Sequence, residues 1–257
     1  MRYVWARTLC TAGCLLVVLT SAGCDTSDRA AEEAEGFVWI FDGESLEGWE
    51  GDPAYWRVEN GALVGEVTPS TLLERNTFII WRGGWTRDFE LKLEYLVSAE
   101  GNSGINYRSE EVDGVPFALR GYQADLDGAN RYTGSNYEER GRTTLAAQGE
   151  VTIIPAIEHA ASVQEHVEQN RWTPAETVRS LGSSTSLDAR IHSDDWNDYH
   201  LVVENNRMRH FVNGVLMSDV TDNDTLNRRF EGLLGVQVHV GPPMKVEYRN
   251  IRLKQLD

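Results

Sequence analysis

From Phe37 onward apolar and polar residues alternate with a period of two, broken at short intervals by turn residues. "DFELKLEYLVS" puts Phe89, Leu91, Leu93 and Tyr95 on one face and Glu90, Lys92 and Glu94 on the other, which predicts a half-buried strand. "WRVENGALVGE" predicts two short strands joined at Asn60-Gly61, a pair that favours the left-handed backbone of a tight hairpin. "FVWIFDG" predicts a strand ending at Asp42-Gly43. Further strands are predicted in "GINYRSE", "GYQADLD", "DYHLVVENN", "RMRHFVNGVLMSDV", "LLGVQVHVG" and "KVEYRNIRLKQL", with turns at Asn205-Asn206 and Asn213-Gly214. Many short strands without intervening helices predict one antiparallel sandwich or barrel and exclude a parallel βαβ architecture. One stretch breaks the period. Residues 155–182 have helical composition, and Thr173, Pro174 and Glu176 are spaced as an N-cap, a first helical residue and a capping-box acid, so one or two surface helices are predicted there.

The first 36 residues follow a different logic. Arg2 and Arg7 precede an apolar run from Leu9 to Leu19, and small residues lead to Cys24, which predicts an export signal over residues 1–23. "SAGC" resembles the cleavage box of a bacterial lipoprotein, with Cys24 as the lipidated residue. Ser21 stands where that pattern prefers leucine, and ordinary signal-peptidase cleavage is the alternative. Cys10, Cys14 and Cys24 are the three cysteines, so a chain starting at Cys24 has one thiol and no internal disulfide. Residues 24–36, polar and acidic, predict a flexible tether ahead of a folded domain at 37–257. The expected location is periplasmic or cell-surface, with contact to the membrane only through the lipid. A net charge of -16 argues against nucleic acid and anionic polymers as partners.

The period of two also sorts the polar residues by face. Asn106 and Arg108 oppose Ile105 and Tyr107; Gln123, Asp125 and Asp127 oppose Tyr122, Ala124 and Leu126; Gln237 and His239 oppose Val236, Val238 and Val240. Amides, carboxylates and guanidinium groups pair with the donor-acceptor hydroxyls of a sugar, while aromatic rings cover its apolar faces. Trp81, Trp85, Tyr132, Tyr137 and Trp172 fall at strand ends or in loops where they are candidates for that role. A half-exposed sheet face with some tryptophans in the core would give the same pattern.

"FDGESLEGW", "WRVENGALVG", "DFELKLEY", "GNSGINYR", "GYQADLDG", "DDWNDYHLVV", "FVNGVLMSDV", "GLLGVQVHVG" and "VEYRNIRL", in this order over residues 37–256, resemble the 3-keto-disaccharide hydrolase domain family. The resemblance implies an all-β concanavalin A-like jelly roll, two curved sheets with the ligand site on the concave one. It also implies cleavage of glycosides oxidised at C3 of the sugar, by 3-keto-glucoside lyase and 2-hydroxy-glucal hydratase chemistry. Many members carry Glu and Gln in the tyrosine-led strand, where this chain has Gln123 and Asp125.

A ketone at C3 acidifies the C2 proton, so a base can remove it, the C1 substituent leaves by elimination, and water can add back. Such a site needs a base, a proton donor for the departing oxygen and a group that stabilises the enolate. Asp125 is the expected base, His239 a general acid, base or metal ligand, and Arg108 the partner of developing negative charge. Gln123 and Gln237 are expected to orient hydroxyls, with Asn106, Asp127, Tyr137 and Glu138 as further binding residues; Glu138, Glu139, Arg140 and Arg142 in "YEERGR" are candidates to supply a second carboxylate near the site, with a solvated charge run as the alternative. Each has a structural alternative: a turn cap for Asp125, an ion pair for Arg108, a satisfied sheet histidine for His239. No cofactor is firmly indicated, and "DLDGAN" and the aspartates Asp219, Asp222 and Asp224 leave a divalent cation, Ca²⁺, as a candidate. A non-catalytic carbohydrate-binding module is the rival reading, and an adhesion domain a third.

Overall fold

The computed structural model describes residues 26–157 and 163–256. The chain begins with α1 (Thr26–Ala34), β1 (Val38–Trp39), β2 (Trp49–Glu50), β3 (Trp56–Glu59) and β4 (Ala62–Val67). The long strands β5 (Thr77–Thr86), β6 (Phe89–Val97), β7 (Asn102–Glu111) and β8 (Leu119–Asp127) follow, then the short β9 (Asn136–Glu139), β10 (Thr143–Ala146) and β11 (Glu150–Ile154). After α2 (Val163–Gln169), β12 (Glu176–Ser180) and α3 (Ser184–Asp188) come β13 (Asn197–Glu204), β14 (Arg207–Val212), β15 (Val215–Asp222), β16 (Gly232–Val238) and β17 (Met244–Gln255).

These strands form two sheets. One runs β12-β11-β15-β14-β13-β6-β17-β4-β3 with β1 beside β17, and the other runs β10-β9-β8-β7-β16-β5-β2. Alternation explains the packing between them. Phe89, Leu91, Leu93, Tyr95 and Val97 of β6 are all buried, and they meet Ile105, Tyr107, Tyr122, Ala124, Leu126, Val236 and Val238 from the facing sheet in one core. The predicted sandwich and its hairpin turns are present, including Asn60 and Gly61 with φ of 52° and 79° between β3 and β4. Pairing is antiparallel except between β11 and β15, which run parallel.

Three expectations change. The predicted first strand is limited to Val38–Trp39. Residues 26–34, expected within a flexible tether, form α1, because Glu32 accepts hydrogen bonds from Lys92 (3.0 Å) and Arg252 (3.1 Å) and so holds the helix on the ten-stranded sheet. Cys24 and the predicted signal lie outside the described residues. In the 155–182 insertion only α2 is helical among the described residues. Trp172 is fully buried, the Ala175 N–H closes a turn on its carbonyl (3.0 Å), and Glu176 and Thr177 pair with Ile153 and Thr152 of β11 in an edge strand. Burial of one tryptophan and the strand preference of β-branched residues override the local capping signal.

Candidate active site

The seven-stranded sheet turns Tyr122, Ala124 and Leu126 inward, so Gln123 and Asp125 face outward into a cleft of about 720 Å³. Tyr137 and Glu139 of β9 come into the same cleft, as does His239 just beyond β16. Amides order the floor. Gln237 Nε2 donates to Gln123 Oε1 (3.1 Å), and Gln123 Nε2 donates to Asp125 Oδ1 (2.7 Å). At the side, Asn76 Nδ2 donates to Glu139 Oε1 (3.2 Å) while its Oδ1 accepts the Val240 N–H (2.9 Å), joining β9 to the ends of β5 and β16. His239 Nδ1 is hydrogen-bonded to the Val240 carbonyl (2.5 Å), and Nε2 has no partner among the described residues.

The environment makes the two cleft carboxyls unlike ordinary acids. Burial pushes Asp125 up to about 8, against its hydrogen bond from Gln123 and with help from the negative charges of Glu139 and Asp127. Burial also raises Glu139. Its hydrogen bond from Asn76 and the neighbouring Arg140 and His239 work in the opposite direction. Burial likewise raises the Tyr137 phenol, keeping it a protonated donor at neutral pH. Both acids of the cleft are thus raised by burial; Asp125 carries its proton near neutrality, and Glu139 is the one with a hydrogen bond from Asn76 and with Arg140 and His239 beside it to oppose the shift.

The floor depends on a glycine. A Cβ at Gly104 would stand 2.5 Å from Cγ and Cδ of Gln123, because that side chain lies across the bare backbone of β7. Gly104→Ala is therefore expected to displace Gln123 and break its bond to Asp125. Since that bond favours the ionised carboxylate, Asp125 should titrate at higher pH in the variant. A carboxyl ¹³C titration that leaves Asp125 unmoved would show that Gln123 does not hold it.

The insertion builds one rim. The Trp172 N–H donates to the Thr144 carbonyl (2.9 Å), and Val167 and Asn170 line the cleft beside Thr143 and Thr144. Of the five candidate aromatics only Tyr132 and Tyr137 reach it. Trp172 is core, Trp81 packs partly against the core, and Trp85 is exposed away from the cleft.

Four of the predicted site residues lie elsewhere. Arg108 is buried and donates to the carbonyls of Arg87 (2.8 Å), Asn205 (2.6 Å) and Arg229 (3.2 Å) and to Asp88 (2.8 Å). The β7 register slips between Tyr107 and Glu110, and Arg108 has φ of 45°, so strict alternation fails there. Asp127 caps a turn, accepting the N–H groups of Tyr132 (2.8 Å), Thr133 (3.1 Å) and Arg131 (3.2 Å). Glu138 faces the core and pairs with Arg142 (2.7 Å). Asn106 is buried beside the floor without lining the cleft, and neither end of its amide has a partner among the described residues. Gln237 supports the cleft through Gln123.

The candidate calcium ligands are also taken up. Asp219 pairs with Arg207 (2.6 Å), and Asp222 and Asp224 pair with Arg142 (2.7 and 3.2 Å). Among the described residues no group of three or more His, Cys, Asp or Glu side chains is placed to hold a metal ion.

Comparison with known proteins adds four likenesses. A family profile described as the 3-keto-alpha-glucoside-1,2-lyase-like domain matches residues 36–254. A Bacteroides thetaiotaomicron protein named 3-keto-disaccharide hydrolase is 24% identical, over 88% of this chain and 80% of its own length. Among solved structures, a candidate glycosyl hydrolase of Parabacteroides distasonis matches with a TM-score of 0.56 at 18% identity, covering 88% of this chain and 97% of its own. The carbohydrate-binding module CBM66 of Bacillus subtilis matches with a TM-score of 0.50 at 13% identity, covering 81% and 96%. At such identities the structural likeness speaks for the shared jelly-roll sandwich.

Proposed function

Because the chain belongs to the 3-keto-alpha-glucoside-1,2-lyase-like family, we propose that it cleaves glycosides whose sugar has already been oxidised to a ketone at C3. The observation that carries this reading is the pair of unlike carboxyls in one cleft, with Asp125 raised to about 8 and Glu139 held by Asn76.

Glu139 removes the C2 proton, and the electron pair of the C–H bond becomes an enolate shared with the C3 oxygen. The Tyr137 hydroxyl, a donor lining the same cleft, is the candidate partner for that oxygen. Collapse of the enolate forms the C1–C2 double bond and breaks the bond from C1 to the aglycone oxygen. Protonated Asp125 gives its proton to the departing oxygen. Water then adds across the double bond, its proton returning to C2 and its oxygen to C1, so the net reaction is hydrolysis. Asp125 thus takes the acid role in place of the base role read from sequence, because a carboxyl raised to about 8 carries its proton at neutral pH. His239 and the Gln123 amide bind sugar hydroxyls.

The test compares aglycone release from a 3-keto-glucoside and from its unoxidised parent. Turnover of the keto sugar alone is the expected result. Equal turnover of both would sink the enolate mechanism, and binding of both without turnover would leave a carbohydrate-binding module.

A further inference from the structure

The chain has 40 acidic and 24 basic Lys and Arg residues, and most described arginines have an acidic partner. Arg82 pairs with Glu50 and Glu111, Arg120 and Arg229 share Glu110, and Arg249 meets Glu94. Two arginines of the cleft wall leave their N–H groups without a hydrogen-bonded acid. Among the described residues Arg75 has no ion pair or side-chain hydrogen bond, and Arg140 has a long ion pair with Glu139 (3.8 Å) that is beyond hydrogen-bond reach. Arg75 is exposed, the Arg140 side chain is 33% exposed, and both line the cleft. They share one end of it, because Arg75 and Arg140 are the chain neighbours of Asn76 and Glu139, whose side chains are hydrogen-bonded at 3.2 Å.

Arg140 is not carried on a slack loop. Its backbone is in the left-handed region (φ 55°), in a turn closed by the Gly141 N–H on the Glu138 carbonyl (3.2 Å). Its neighbours Glu139 and Arg142 are 7% and 1% exposed, so the turn is fixed on both sides of the one side chain that points to solvent. Arg75 stands where the cleft adjoins a second recess of about 410 Å³, walled by Tyr55, Leu72, Pro116 and Phe117 and also by the acids Asp52 and Glu74.

We propose that the Arg75 and Arg140 end of the cleft is a carboxylate subsite for the leaving part of the substrate, so that the preferred glycoside has an acidic aglycone. This rests on the functional reading above, which puts the keto sugar over Asp125 and Glu139. A cleft of about 720 Å³ has room beyond one sugar ring, and the Tyr55 and Phe117 side of the adjoining recess suits a flat ring attached to the acid. Two guanidinium groups with unused donor forks match the two oxygens of a carboxylate. With Asp125 protonated at neutral pH, the cleft does not repel an anion as strongly as the overall charge of the chain implies.

The experiment uses the purified protein with the 3-keto-glucosides of 4-hydroxybenzoic acid and of 4-hydroxybenzamide, which differ at the aglycone in the charge of one group. The ratio of kcat/KM for the acid over that for the amide is expected to be about tenfold or more. Arg75→Gln and Arg140→Gln are each expected to lower the ratio several-fold. Raising salt to about 0.5 M, which cuts the screening length to roughly half its physiological value, should lower it too. A ratio near one in the wild type, or a ratio unmoved in both variants, overturns the subsite. If neither keto-glucoside is turned over, calorimetric titration with the two unoxidised glucosides decides. A preference for the acid that both substitutions remove keeps the subsite and sinks the keto-glycoside reading, whereas equal binding or none overturns the subsite as well.

Discussion

An Asp125→Asn protein is expected to keep its fold and to release aglycone from a 3-keto-glucoside about 10²- to 10⁴-fold more slowly, the usual contribution of a positioned general acid. Asparagine has the shape of the protonated carboxyl that burial favours at this position, and its amide oxygen can still accept the Gln123 hydrogen bond. What it lacks is a proton to give to the leaving oxygen. In the wild type kcat/KM should therefore fall as pH rises through about 8, where Asp125 ionises, and this alkaline limb should be missing from the residual activity of the variant. Stability supplies a second readout with a fixed sign. The folded-state value lies above the unfolded one of 3.8, so the native protein binds this proton more tightly. That contribution is fully present below the unfolded value and is lost as pH rises toward about 8. The substituted amide cannot ionise, so relative to wild type the variant should gain stability at pH 9 and show little gain near pH 4. Loss of turnover together with that gain identifies a group kept for chemistry at a cost to the fold. A variant with more than a tenth of wild-type turnover would remove Asp125 from the acid role.

The cleft was legible in the sequence wherever regular alternation holds. Asp125 and Gln123 face outward because β8 is regular through them, with Tyr122, Ala124 and Leu126 in the core. At Arg108 the same rule fails, since a register slip and a left-handed backbone send the side chain into a cage of carbonyls. Asp127 fails differently, because it sits at the last position of β8 and the N–H groups of the following turn claim it. The sequence makes Glu139 a candidate second carboxylate together with Glu138, and the strand period distinguishes the two. Given Tyr137 as a cleft residue, alternation along β9 puts Glu139 on the same face and sends Glu138 inward, where it meets Arg142. By contrast Asn76, Arg75 and Val167 reach the cleft from the chain before β5 and from the insertion, segments whose placement depends on tertiary packing that no local period encodes. The helical reading of Thr173 to Glu176 fails for a related reason, since burial of Trp172 decides the path of that chain.

Arg142→Met should be the most damaging single change to stability, at about 3–5 kcal/mol, the usual result of removing one partner from a buried ion pair. The guanidinium is 1% exposed and meets Glu138 (2.7 Å), Asp222 (2.7 Å) and Asp224 (3.2 Å), while the Tyr122 hydroxyl donates to the same Asp222 carboxylate (2.6 Å). Three acids share one buried cation, so methionine fills the volume and leaves negative charges in the interior without compensation. Against a total stability of about 5–15 kcal/mol, such a loss moves the urea midpoint far toward zero. Adding Asp222→Asn to Arg142→Met removes one of the stranded charges and should recover part of the loss, which simple loss of packing would not do. A drop below about 1 kcal/mol in the single variant would mean that water or rearrangement satisfies the acids, within the range of an ordinary surface substitution. The same clamp bears on catalysis through β9, which shows Glu138 to Arg142 on one face and Glu139 to the cleft on the other. At temperatures where Arg142→Met is still folded, a loosened β9 should therefore lower kcat more than it raises KM, because a base held out of line binds substrate but does not reach the C2 proton.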